Sequence, residues 1–316
     1  MYSDLRQLFT CFTRPLLLAV VFLILHSQNA AAQKLVEPTL AELQSRAERG
    51  DALAQYKLAL SYLSNNPTDN DYLSALKWLR PSAAQGNASA QFILGYIYEH
   101  GKGVPRDYGK AVANYEAAAL QKHSSAENNL ASLYQHGQGV PQNATKAFEL
   151  YLASASHGNP VGQCNLAGRY FLGSGTPRNY QQAAKWFRAA ADSGSASGQN
   201  SLGVMYYYGQ GVTTDYAESA RWILLAAQSG LPAAETNVAY LFEQGKGVPL
   251  DYVAAYYWYS RAISAGDNSG ADERKHIARV MTRKQINQAT TQATVAAYQA
   301  QQPSSPSESY SLLQNH

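Results

Sequence analysis

The sequence predicts an all-α fold, a solenoid of helix-turn-helix repeats, and three observations carry the prediction. The pairs Gly101/Gly103, Gly137/Gly139, Gly173/Gly175, Gly209/Gly211 and Gly245/Gly247 recur every 36 residues without an insertion. A branched aliphatic column keeps the same step: Leu58, Leu94, Leu130, Leu166, Leu202 and Val238. Four residues after each stands an aromatic ring: Tyr62, Tyr98, Tyr134, Tyr170, Tyr206 and Phe242. Apolar side chains four apart share one face of a helix.

The N-terminus comes first. Arg6 and Arg14 precede the ten-residue apolar run "LLLAVVFLIL" (Leu16 to Leu25), which is short for a bilayer span, and Ala30-Ala31-Ala32 offers a small-residue cleavage region. Residues 1–32 therefore read as a secretory signal peptide, with a mature chain beginning near Gln33. No cysteine follows the run to accept a lipid and no second apolar stretch appears. The expectation is a periplasmic or secreted protein with no integral membrane segment after cleavage. Residues 33–50 are assigned to a capping helix, because Thr39 and Glu42 in "TLAELQSRAERG" have capping-box spacing.

Residues 51–266 hold six repeats. Helix A of each carries the Leu and aromatic columns and two columns of small residues, Ala54/Ala90/Ala126/Gly162/Gly198/Ala234 and Ala59/Gly95/Ala131/Ala167/Gly203/Ala239, which let a second helix approach closely. The first glycine of each pair ends helix A, and the second turns the chain toward helix B. Asp107, Asn143, Asn179, Asp215 and Asp251 supply N-caps, and Trp78, Leu150, Trp186, Trp222 and Trp258 follow at helical spacing. Gly50, Gly86, Gly158, Gly194, Gly230 and Gly266 close the hairpins, with Lys122 as the exception in the series. The first repeat has Asn65 and Pro67 in place of the glycine pair, so its turn must differ. Residues 267–301 are assigned to C-terminal capping helices, with Thr282 and Gln285 in capping-box spacing, and the Pro/Ser-rich residues 302–316 to a disordered tail.

The same columns weigh against chemistry. "GKG" at Gly101 to Gly103 looks like a phosphate cradle, but no strand precedes it and no Lys-Ser/Thr ends it. A chain of 316 residues with 46% apolar content and a net charge of +3 is globular and gives no reason to expect nucleic acid as a partner. Cys11 lies in the signal segment and Cys164 stands alone, so no intramolecular disulfide is expected. His100 and His136 fall at the same place in successive repeats, and no Cys/His/Asp/Glu set has metal spacing. With no nucleophile elbow either, no enzyme, cofactor or metal is expected.

"AQFILGYIYEHGKGVPRDYGKAVANYEAAALQ" and "GQNSLGVMYYYGQGVTTDYAESARWILLAAQSG" resemble the Sel-1-like repeat, the 36-residue relative of the tetratricopeptide repeat. The resemblance implies a right-handed α/α superhelix whose inner groove binds another protein or peptide. By analogy with tetratricopeptide relatives, helix A positions two before and two after the Leu face the groove, as does the residue after the aromatic column. On that basis Tyr56, Phe92, Tyr96, Asn128, Asn200, Tyr207 and Tyr240 are candidate groove residues, with aromatic ends and a polar middle. Asn129, Asn165 and Asn237 precede the Leu column, where an asparagine in tetratricopeptide relatives clamps a peptide backbone or terminal carboxylate. The implied role is an exported scaffold, an envelope adaptor or sensor-regulator in a Gram-negative-like bacterium. One alternative is a cell-wall or β-lactam-related ligand-binding protein or enzyme, although relatives of that kind carry a cysteine pair in each repeat. Another is a secreted factor that meets a host.

Overall fold

The structure, a computed structural model, describes residues 39–64 and 66–301. The proposed signal segment, the tail after residue 301 and Asn65 lie outside the described residues. Fifteen α-helices and no strand occur among the described residues. Helix α1 (Leu40–Glu48) leads into six hairpins: α2 (Ala52–Tyr62) with α3 (Asp69–Ala84), α4 (Ala88–His100) with α5 (Tyr108–Ala119), and α6 (Ser124–His136) with α7 (Ala144–Ser156). Then come α8 (Pro160–Leu172) with α9 (Tyr180–Asp192), α10 (Ala196–Tyr208) with α11 (Tyr216–Gln228), and α12 (Pro232–Gln244) with α13 (Tyr252–Ser264). Helices α14 (Ala271–Ala278) and α15 (Arg283–Gln301) both pack on α13. From α1 to α14 each helix packs on its neighbours in the chain, so the hairpins stack into an all-α solenoid.

Local chemistry sets the helix ends. Asp107, Asn143, Asn179, Asp215 and Asp251 each accept the N–H three residues on at 2.9 to 3.0 Å, which satisfies a donor the helix leaves unpaired. Both capping boxes form, Thr39 with Glu42 and Thr282 with Gln285. The first glycine of each pair ends helix A at φ of 63° to 73°, a left-handed turn that favours glycine. The second glycine has an added reason. A Cβ on Gly139 would stand 2.7 Å from the backbone of Tyr108, one repeat earlier, and one on Gly247 would overlap the Tyr216 carbonyl. It is the point where one turn rests on the preceding helix B.

Two departures have local causes. Lys122, in the closing glycine position, adopts the same left-handed backbone at φ +63°. In the first hairpin Asn66 takes φ +58° and Thr68 caps α3 through a box with Asp71. That helix therefore starts at Asp69, three residues before the place the Asp/Asn column indicates, because the loop lacks the glycine pair.

The Leu column is at most 5% exposed and Ala54, Ala90, Ala126 and Ala234 at most 1%. The aromatic column is less buried than the periodicity suggests: Tyr62 is 38% exposed and its counterparts are half-buried. Full burial goes instead to the position three after the Leu, where Ile97, Leu133, Met205 and Leu241 are sealed. The cause is the helical turn: three residues on points into the joint with helix B, and four residues on points to its edge.

Candidate functional site

Helix A of repeats two to four (α4, α6 and α8) lines a polar cavity of about 400 Å³, and the structure brings Tyr96, Asn128, Asn129 and Asn165 to it together. The asparagines form a directional chain. Asn165 Nδ2 donates to Asn128 Oδ1 at 2.8 Å, Asn128 Nδ2 to Asn129 Oδ1 at 3.2 Å, and Asn129 Nδ2 to the Tyr115 hydroxyl at 3.1 Å. Tyr115 in turn donates to Glu99 at 2.6 Å. The inter-repeat step recurs farther along, with Asn237 Nδ2 donating to Asn200 Oδ1 at 2.8 Å. Asparagine at these positions thus ties one repeat to the next. An amide nitrogen carries two hydrogens, so the bond inside the scaffold leaves Asn129, Asn165 and Asn237 a second N–H for a ligand.

A second cluster lies two repeats on. Tyr207, Asn237 and Tyr240 line a small cleft together with Tyr208. The Tyr207 ring stands 4.9 Å from Tyr208, 5.2 Å from Tyr216 and 6.0 Å from Tyr240, centre to centre. Burial, aided by its bond with Tyr240, pushes the Tyr207 hydroxyl up to about 12, so it stays neutral and able to donate. Tyr208 is 65% exposed and Tyr240 41%, leaving aromatic area for a partner.

Tyr56 and Phe92 are half-buried and pack beside core clusters, away from both hollows. Tyr56 packs against the core around Ala59 and Leu76. Phe92 packs against Ala111, Val112 and Tyr115, and its ring stacks on His123 at 4.8 Å. Asn128 and Asn200 bond to asparagines inside the next helix A, but in other repeats the position two before the Leu sits against the start of the following unit. Cys164 meets Ser195 there at 3.4 Å, and Thr236 donates to Asp267 at 2.8 Å. Three of the residues after the aromatic column are held by helix B. Gln135 and Glu243, like Glu99, accept a helix B tyrosine hydroxyl, from Tyr151 and Tyr259.

Four cavity residues lie outside the groove positions read from the sequence: His100, His136, Tyr151 and Arg169. His100 and His136 direct Nδ1 to the carbonyls of Tyr96 and Ser132, at 3.0 and 2.9 Å. Arg169 stands where successive repeats have Ile97, Leu133, Met205 and Leu241, and its buried Nε has no partner. That column, aligned at 36 residues, is the signal that would have found it. No group of three His, Cys, Asp or Glu able to hold a metal occurs among the described residues. No described helix is long and apolar enough to cross a membrane.

Comparisons with known proteins agree with this geometry. The family model for the Sel1 repeat matches residues 52–87, 88–123, 124–159, 160–195, 196–231 and 232–267. Among solved structures the chain is similar to a protective antigen present in uropathogenic Escherichia coli strains, which displays an SLR fold, at 32% identity and a TM-score of 0.70. The likeness covers 80% of this chain, which spans only 55% of that protein's length. It is also similar to a Sel1 repeat protein from Oxalobacter formigenes, at 26% identity and a TM-score of 0.66, over 75% of this chain and 93% of that one. No curated protein sequence matches.

Proposed function

We propose that this chain, which belongs to the Sel1 repeat family, is an exported scaffold that holds a segment of another protein along its helix A face. The observation that carries the reading is the polar cavity built from three successive repeats, with the exposed tyrosines around Tyr240 farther along the array. A peptide laid across the repeats would find asparagine N–H groups for its backbone and tyrosine rings for its side chains. The protein works by binding and not by catalysis, as an adaptor or sensor-regulator of the cell envelope. Export rests on Arg6, Arg14, the apolar run from Leu16 to Leu25 and the alanines before Gln33.

The test is a photo-crosslinking residue placed at Tyr96 or at Tyr240 in the producing cell, with Lys185 on helix B as control. A protein captured from both groove positions and not from Lys185 is expected. Capture from Lys185 alone, or from neither groove position, would refute the surface. Mass spectrometry should find the mature N-terminus at or near Gln33, and recovery of an intact Met1 form from membranes would refute export.

A further inference from the structure

A cleft of about 330 Å³ opens on the helix B side between the second and third repeats, over Leu150. Its meaning comes from the chain's own repetition. Two repeats later the side chain corresponding to Leu150 is Trp222, 6% exposed, packed with Ala191, Leu202 and Tyr206. Subtracting 72 from those numbers gives Ala119, Leu130 and Tyr134, which line the cleft. The walls of an indole site are therefore present around Leu150, and the indole is not.

The rim says what kind of indole would fit. Arg188 and Arg221 stand over the Trp222 ring at 5.4 and 4.3 Å, and Glu218 accepts its Nε1–H at 3.1 Å. The corresponding residues at the cleft are Glu116, Glu149 and Lys146. Two carboxylates thus replace the two cations that cover an internal tryptophan, and the acceptor has become an ammonium group engaged with Glu149 at 3.5 Å. The surplus of carboxylates favours an indole that arrives with positive charge beside it. Beside the opening Leu120 is 87% exposed, an apolar shelf at the mouth. The four tryptophans of the sequence, Trp78, Trp186, Trp222 and Trp258, all stand in the helix B column and are buried or half-buried there, so the ring is assigned to another protein.

We propose that the cleft over Leu150 is a docking site for a tryptophan side chain flanked by arginine or lysine on a partner protein. The site lies apart from the helix A face and does not depend on it.

The test uses the folded chain labelled with 13C in its leucine methyl groups and the peptide acetyl-Arg-Trp-Arg-amide as probe. Titration should shift the Leu120, Leu130 and Leu150 methyl signals, whereas acetyl-Arg-Ala-Arg-amide should not and acetyl-Glu-Trp-Glu-amide should bind at least tenfold more weakly. Leu150→Trp should raise the melting temperature by filling the cleft and weaken the probe at least tenfold. Leu120→Asn, on an exposed shelf, should weaken it without altering the melt, and Tyr96→Ala should leave it unchanged. Absence of shifts at millimolar probe, undiminished binding to Leu150→Trp, or a lowered melting temperature in that variant would each overturn the proposal. So would self-association of the parent chain that Leu150→Trp abolishes, because the occupant would then be a second copy.

Discussion

Gly230 and Gly247 separate two effects that periodicity alone merges, and an alanine at each measures the difference. Both have left-handed backbones, at φ +78° and +73°. An L-residue there costs about 1 to 2 kcal/mol, offset by about 0.4 to 1 kcal/mol because alanine has a less flexible unfolded state than glycine. The net loss from backbone strain is therefore about 1 kcal/mol at either site. A Cβ on Gly230 meets nothing within 4 Å. One on Gly247 overlaps the Tyr216 carbonyl oxygen and stands 2.5 Å from its carbon and 3.1 Å from Ala217 N. Non-bonded heavy atoms rest at about 3.5 to 4.0 Å, so the turn must withdraw from α11 by on the order of 1 Å. Overpacking of that kind adds about 1 to 3 kcal/mol. Gly230→Ala should thus cost about 1 kcal/mol and Gly247→Ala about 2 to 4 kcal/mol, read from urea midpoints at constant slope. Equal losses would show that the second glycine serves only its own turn and would refute the argument that it seats one repeat on the last.

Lys122→Gly should stabilise by about 0.5 to 1 kcal/mol, because it removes the left-handed strain of a lysine at φ +63°; an unchanged or lowered denaturation midpoint would count against it. His123 caps α6 by accepting the Ala126 N–H at Nδ1, and burial holds its pKa below the ordinary value, so the neutral form is the folded one. Its contribution is present above the unfolded value of about 6.5 and is lost as pH falls through the depressed folded value, so His123→Asn, with the residue type of Asn87 and Asn159, should flatten the stability curve below about pH 6.5. Phe92→Ala should cost about 2 to 3 kcal/mol as a packed ring, whereas Tyr96→Ala should stay within about 1 kcal/mol; matching melting curves would contradict the packing described for Phe92. Burial raises the Cys164 thiol above its usual range, so iodoacetamide at neutral pH should label the folded chain far more slowly than the urea-unfolded one, and equal rates would contradict that environment.

The sequence by itself determined the solenoid, because every requirement of a stacked hairpin is local and repeats. A left-handed turn needs a residue such as glycine, a helix start needs an oxygen, and a buried helix face needs aliphatic side chains at fixed spacing; all three stand in register 36 residues apart. It also marked Tyr96, Asn128, Asn129, Asn165, Tyr207, Asn237 and Tyr240, which the fold gathers around two hollows. Only the tertiary structure decided what each of them touches. Phe92 and Tyr96 are both aromatic and four residues apart, yet one is roofed by His123 and the other is exposed, because the start of the next repeat covers only one end of helix A. Asn165 and Asn128 read as two members of separate columns until stacking sets them 2.8 Å apart. The space over Leu150 has no signature in any single repeat, since a vacancy is defined by its walls, and those come from helices on two different repeats. Periodicity records what each repeat must do for itself, whereas contact between repeats depends on the rise and rotation from one to the next, which no column of identical residues encodes.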